Sequence, residues 1–260
     1  MTRAWRLLRL LLHLLKGVLF AITLLPRLTV EQRAQLVGSW CAQVLGILCI
    51  RVVTRGELPD ETTRKTLFVS NHISWIDIWA LMQLHHIHFV AKSEIRAWPV
   101  IGWLATKTGT IFIERERRHD TGRVMGGVEQ ALLRGECLCL FPEGTTSDGN
   151  ELKPFKSSLF QAAINADATV WPLAIRYPGP DGLPNTAVAY HGDVTMWQSL
   201  QEVLKQREVV VELHFAHAMQ AQGMERRHLS HQARHAISSL LHPPPRKAPE
   251  KHDGLPVAAQ

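Results

Sequence analysis

Cysteine, tyrosine and charge are all scarce in this chain: 4 Cys, 2 Tyr and 20% Asp, Glu, Lys and Arg among 260 residues. No two cysteines stand at a zinc-ribbon or dithiol spacing, so neither a cysteine-based metal site nor a redox pair is on offer. Cys41 and Cys49 lie in an apolar run. Cys137-Leu138-Cys139 reads as the interior of a strand, where alternation puts both thiols on one face as small hydrophobes. A reducing, cytosol-facing compartment is the corresponding expectation. With 46% hydrophobic residues spread over the chain, the composition suits a globular protein and argues against a multi-span channel. No internal repeat is visible. Acidic residues are the scarcer sign, 23 against 29 basic, for a formal net charge of +6. Such a balance speaks about partners, whether nucleic acid, anionic lipid or an acidic carrier protein, and not about fold. No nucleic-acid-binding signature accompanies it, and the charge concentrates in the apolar front segment and in scattered loops.

In that front segment Arg3, Arg6, Arg9, His13 and Lys16 recur every three or four positions and share one arc of a helix. Trp5, Leu7, Leu8, Leu11, Leu12, Leu15 and Phe20 fill the rest. The uncharged stretch after Lys16 is cut off by Pro26 and Arg27, short of the roughly 20 residues needed to span a bilayer. A second apolar run, Ala34 to Ile50, comes nearer to that length but carries Gln35 and Gln43. Residues 1–50 are therefore expected to form two membrane-associating helices joined around Leu25–Thr29, with the basic stripe toward anionic headgroups. Each Lys or Arg near such a surface is worth about 1 kcal/mol. A spanning anchor at Ala34–Ile50 is the alternative. A signal peptide fits less well, because Lys16 interrupts the apolar core and no clear small-x-small site follows.

From Arg51 onward short apolar or β-branched runs alternate with helical patterns. Strands are expected at Val52–Thr54, Thr66–Ser70, His88–Ala91, Thr110–Glu114, Cys137–Phe141, Thr169–Ile175, Ala187–Tyr190 and Val209–Phe215. Helices are expected at Trp75–Leu84, Val100–Lys107, Thr121–Arg134, Ser157–Asp167, Met196–Gln206 and Glu225–Leu241. This alternation predicts an α/β domain over residues 51–242, with a mostly parallel central sheet flanked by helices. Ligands then belong at the carboxyl ends of strands. The tail over 243–260 is rich in proline and charge and is expected to be disordered.

The residues suited to chemistry fall at those strand ends. Asn71-His72-Ile73-Ser74-Trp75-Ile76-Asp77 follows the run TLFVS and places a histidine five positions before an aspartate. On a regular helix that spacing diverges by about 140°, so His72 and Asp77 meet only if the turn bends them together. If they meet, Asp77 fixes the imidazole tautomer and frees the other ring nitrogen to take a proton from a hydroxyl. Ser74-Trp75-Ile76-Asp77 also has the form of a capping box, a purely structural use of the same aspartate. Phe141-Pro142-Glu143-Gly144-Thr145-Thr146-Ser147 ends a second strand, and backbone N–H groups around Gly144 could bind an oxyanion or phosphate. His228, His231 and His235 share a helix face and His85, His86 and His88 form a cluster, but no cysteine or carboxylate completes a convincing metal site.

Two further blocks complete a set: Gly109-Thr110-Ile111-Phe112-Ile113-Glu114-Arg115, and Val170-Trp171-Pro172-Leu173-Ala174-Ile175. Together the four blocks, in this order over Thr66 to Tyr177, resemble the glycerolipid acyltransferase family of the PlsC (1-acylglycerol-3-phosphate acyltransferase) type. The resemblance implies a membrane-bound lipid O-acyltransferase that moves a fatty acyl group from a thioester, acyl-CoA or acyl carrier protein, to the free hydroxyl of a single-chain lipid. It implies His72 as general base and Asp77 as its orienter. Glu143, Gly144, Thr145 and Thr146 would organise acceptor and oxyanion, with Glu143 contacting the acceptor hydroxyl, and Arg115 would hold an anionic headgroup. Lys92, in Phe89-Val90-Ala91-Lys92-Ser93-Glu94, and Lys156 are further candidates for the substrate path. No metal or other cofactor is required, and the inner membrane with the site facing the cytoplasm is the expected location. The default acceptor is 1-acylglycerol-3-phosphate, giving phosphatidic acid. In the family's F-P-E-G-T-R-S block an arginine is associated with the acceptor's phosphate; here that position is Thr146. The departure keeps a lyso-ornithine lipid open as the acceptor, its carboxylate still suiting Arg115. Outside this class stand a thioesterase, with water in place of the hydroxyl, and a non-catalytic membrane-binding module.

Overall fold

The computed structural model describes residues 2–113 and 118–242. In chain order it contains α1 (Arg3–Thr23), α2 (Val30–Ile47), β1 (Ile50–Gly56), β2 (Thr66–Ser70), α3 (Ile76–Met82), β3 (Ile87–Lys92), α4 (Ser93–Arg96), α5 (Ile101–Lys107) and β4 (Ile111–Ile113). There follow α6 (Arg118–Leu133), β5 (Cys137–Leu140), α7 (Gln161–Asn165), β6 (Thr169–Arg176), α8 (Met196–Lys205), β7 (Val209–Phe215), β8 (Met219–Gln220) and α9 (Arg226–Leu241). The sheet runs β1-β7-β6-β2-β5-β3-β4, with β8 paired to β6. From β6 to β4 all neighbours are parallel; β7 reverses against β6, and β1 pairs parallel with β7.

Strand β2, TLFVS, is buried at every position, as a central parallel strand covered on both faces must be. Phe68 joins one apolar layer with Leu10, Val44, Leu45, Leu81, Val203 and Leu213. Leu67 and Val69 point the other way, into a layer with Val128, Leu132, Ala163, Leu229 and Ile237. Cys137 and Cys139 share the first layer, on one strand face, and all four cysteines are free. One expected strand is absent: Ala187–Tyr190 overlaps a 3-10 turn at Thr186–Val188 instead. The reason lies outside the segment, because the Tyr190 N–H donates to the Ile73 carbonyl at 2.8 Å and ties this stretch to the turn after β2.

The front of the chain packs differently from expectation. The helical run from Arg3 to Arg27, 25 residues, is long and apolar enough to cross a membrane, because it begins well before Lys16. Helix α2 instead contributes Cys41, Val44, Leu45 and Ile47 to the protein interior. Only part of the basic stripe of α1 turns inward: Arg6 and His13 are buried, whereas Arg3, Arg9 and Lys16 are exposed. Arg6, Leu10, His13, Gly17 and Ala21 are its buried side, while Leu8, Leu11, Leu12, Leu15, Leu19 and Ile22 are exposed. His13 stacks on Trp40 of α2 and bonds its carbonyl at 3.0 Å. Gly17 makes that approach possible, since a Cβ there would lie 2.8 Å from the Trp40 indole nitrogen.

Arg6 anchors that buried side. Its guanidinium, 3% exposed, donates Nε–H to the Ile47 carbonyl at 3.2 Å and Nη1–H to Leu204 and Gln206 at 3.0 and 2.9 Å, and Nη2 to Leu48. These carbonyls close the C-termini of α2 and α8, whose last acceptors have no partner within their own helices. A cation is favoured there by both helix dipoles. Arg6→Met should therefore lower unfolding free energy by about 2–4 kcal/mol. Arg6→Lys should rescue little, because one compact ammonium cannot reach both helix ends. Denaturant unfolding followed by far-UV circular dichroism measures both, and wild-type stability in Arg6→Met would refute the latch.

Candidate active site

Strand β2 delivers the chain to the carboxyl edge of the sheet, and Asn71 fixes where it leaves. The Asn71 side chain donates to the Ile175 carbonyl at 2.9 Å and accepts the Ile175 N–H at 2.8 Å, pinning the end of β2 to β6. His72 follows directly. Asp77, in the first turn of α3, reaches back with Oδ2 to accept the N–H groups of Ile73 at 2.8 Å and Ser74 at 3.0 Å. That fold-back closes the divergence of the i, i+5 pair. His72 Nδ1 lies 2.7 Å from Asp77 Oδ2. The carboxylate does both jobs its sequence allowed: it satisfies the N–H groups ahead of the helix and it orients the histidine. With Nδ1–H committed to Asp77, Nε2 keeps its lone pair. The imidazole lies flat on Phe141, ring centroids 3.9 Å apart, and keeps 18% of its side chain exposed.

The loop after β5 is bonded to the same turn. Glu143 is 6% exposed, and each of its oxygens accepts a backbone N–H, His72 to Oε1 and Lys153 to Oε2, both at 2.9 Å. Burial pushes its carboxyl above the usual range, and those two N–H groups oppose the shift. Ser147 N–H donates to the His72 carbonyl at 2.8 Å. Glu143 is thus a brace between the two motifs. Gly144, at φ 77°, spends its own N–H on the Phe141 carbonyl. Among the described residues, the N–H groups of Thr145 and Thr146, one and two positions past Gly144, have no protein acceptor, and neither has that of Glu143. Thr145 is exposed and Thr146 half-buried, its carbonyl accepting the Lys153 ammonium at 2.9 Å. Lys156 is exposed, Lys92 closes β3, and Arg115 lies outside the described residues.

An acyltransferase family model matches residues 49–176. The lyso-ornithine lipid O-acyltransferase of Pseudomonas aeruginosa is 35% identical over 209 residues, 80% of this chain and 79% of that protein. The chain belongs to the acyltransferase family. A second relative, the 1-acyl-sn-glycerol-3-phosphate acyltransferase of Neisseria gonorrhoeae, is 35% identical over 173 residues, 66% of this chain and 68% of that one. The crystal structure of the 1-acyl-sn-glycerophosphate acyltransferase PlsC from Thermotoga maritima superposes with a TM-score of 0.64. It covers 91% of this chain and 96% of that one at 18% identity, a likeness of fold.

Three residues of this acyltransferase's site had no role in the sequence reading. Asn71 stood inside the quoted block, and its clamp on β6 needed only the expectation that adjacent parallel strands end together. Phe141 likewise stood in its block, without a hint of the stack on His72. Tyr177 gave no signal at all. Its hydroxyl donates to Asp77 Oδ1 at 2.5 Å, across a sequence separation of 100 residues.

Proposed function

We propose that this acyltransferase transfers a fatty acyl group from a thioester, acyl-CoA or acyl carrier protein, to the free hydroxyl of a lysolipid at the cytoplasmic face of the inner membrane. The observation that carries the reading is the 2.7 Å contact between His72 Nδ1 and a fully buried Asp77. His72 Nε2 takes the proton as the acceptor oxygen attacks the thioester carbonyl. The resulting oxyanion is assigned to the free N–H groups of Thr145 and Thr146, from which it would accept hydrogen bonds. Collapse expels the thiolate, which recovers the proton from the imidazolium, leaving an ester and a free thiol. No acyl-enzyme and no metal or other cofactor enters this sequence. The outward leucines of α1 supply the membrane attachment, with Arg6 and His13 held by the protein and Arg3, Arg9 and Lys16 exposed.

Lyso-ornithine lipid is the acceptor the observations favour. Thr146 stands where a phosphate-associated arginine is expected, and a relative aligned over 80% of the chain carries that acceptor in its name. Arg115 is then assigned the ornithine carboxylate, Lys92 and Lys156 remaining candidates along the substrate path. The relative from Neisseria supports 1-acylglycerol-3-phosphate as the second reading, with the same arginine on the phosphate. Purified protein in mixed micelles, given radiolabelled acyl thioester and each acceptor in parallel, tests both. Diacylated ornithine lipid should form with at least a tenfold higher kcat/KM than phosphatidic acid, the difference one lost phosphate contact of about 1.4 kcal/mol or more would make. The reverse ranking would restore the phosphate acceptor, and free fatty acid without lipid product would indicate a thioesterase.

A further inference from the structure

We infer that Tyr177 is a positioning residue of the catalytic machinery, holding Asp77 through Oδ1 so that its other oxygen is presented to His72 as an ionised acceptor. This rests on the proposed role of His72 as general base. Three donors converge on Asp77 Oδ2, namely His72 Nδ1–H, Ile73 N–H and Ser74 N–H. On the opposite oxygen the Tyr177 hydroxyl is the donor. Asp77 is fully buried and Tyr177 is 3% exposed, so without that hydroxyl Oδ1 would be a charged acceptor with neither protein nor water to satisfy it.

The placement of Tyr177 is over-determined. It follows β6 directly, and β6 is pinned to the end of β2 by the Asn71–Ile175 clamp. Its own carbonyl accepts the Asn185 N–H at 2.7 Å. The phenol is therefore carried to Asp77 by the same two strands that carry His72, and Tyr, Asp and His form a line from the interior to the site. A phenol has one proton to give, and here it is given to the carboxylate. Burial, and then the charge of Asp77, hold the phenol's titration well above its ordinary range, so it stays a donor throughout the working pH range.

The consequence is a pH signature. A donor on Oδ1 draws charge from the carboxylate, which weakens its hold on the imidazolium. Removing the donor concentrates charge on Oδ2, stabilises protonated His72, and raises the pH at which the base becomes free. Other groups facing this pair are Glu143 and Cys139, from the loop after β5 and from β5 itself, with Lys153 beyond Glu143. Burial, and then Asp77, keep the Cys139 thiol neutral. Glu143 titrates in wild type and variant alike, so its contribution cancels in the comparison.

The test is Tyr177→Phe, which deletes one oxygen. Its kcat should fall about tenfold and the midpoint of the acid limb of kcat/KM should rise by about one pH unit, with KM for the lysolipid little changed. The same upward shift should appear in an NMR titration of the His72 ring, assigned by its absence in His72→Gln. That readout needs no acceptor, so a wild type without acyl transfer would refute the functional reading and leave this inference testable. A second probe covers a poorly folding Phe variant. Because the chain has 2 tyrosines, Tyr190→Phe followed by 3-fluorotyrosine incorporation labels position 177 alone. The more acidic phenol is a stronger donor, and the midpoint should move down. Opposite shifts from the two substitutions establish the positioning role. Unmoved midpoints, with only thermal stability altered, would make Tyr177 a packing residue and overturn it.

Discussion

His72→Ala is expected to reduce acyl transfer by about 100- to 10,000-fold while leaving the protein folded. Loss of activity on this scale is what removing a general base costs, since the acceptor hydroxyl must then attack without giving up its proton. Retention of the fold follows from how the surrounding bonds are distributed. Asp77 keeps three donors when the imidazole goes, the N–H groups of Ile73 and Ser74 and the Tyr177 hydroxyl. The backbone of His72 keeps its own bonds, its N–H to Glu143 and its carbonyl from the N–H and hydroxyl of Ser147. What disappears is the stack on Phe141 and one hydrogen bond, a loss of about 1–2 kcal/mol. Label transfer from acyl thioester, beside a thermal melt of the same preparation, separates the two quantities. Activity within threefold of wild type would eliminate His72 as the base.

Glu143→Gln should be the most informative nearly isosteric change in the chain. A carboxylate offers two acceptor oxygens, and here both are used, by backbone N–H groups of His72 and Lys153 that cannot turn away. An amide offers one. Whichever way the glutamine side chain is turned, its NH2 faces a backbone N–H, at a cost of about 1–3 kcal/mol. For a chain of this size that lowers Tm by about 3–10 °C. Because one of the two N–H groups belongs to His72 and the other to the loop braced against it, kcat should fall along with stability. A differential melt and a kcat–KM comparison distinguish this brace from a substrate contact. If Glu143 instead bound the acceptor hydroxyl, Tm would hold and KM would rise.

Where the sequence pattern was strong and local, it matched the structure. Strands β2 and β7 occupy the residues their β-branched and apolar runs predicted, because positions that face a core layer must be apolar, continuously at the centre of β2 and alternately along β7. The Ala187–Tyr190 run failed for lack of that constraint. Four apolar residues can serve a turn as well as a strand, and the Ile73 carbonyl decided the matter. Helix α1 shows a different limit. Its periodicity identified an arc containing Arg6 and His13, but periodicity says nothing about which arc faces inward. The unpaired carbonyls ending α2 and α8, from positions 47 to 206, made burial of Arg6 favourable.

The site divides along the same line. The residue types and their order were enough to mark His72, Asp77 and the Phe141–Ser147 loop as chemistry, since proton transfer and anion binding require particular functional groups at strand ends. Sequence by itself thus determined the fold class, the family resemblance and the groups available to react. Tertiary structure alone decided which atom each group is bonded to: Nδ1 of His72 to Asp77, both Glu143 oxygens to the main chain, Tyr177 to the far side of the carboxylate. The physical reason is range. Propensity and burial act over a turn or a strand, whereas a hydrogen bond between Asp77 and Tyr177 exists only once β2 and β6 lie side by side.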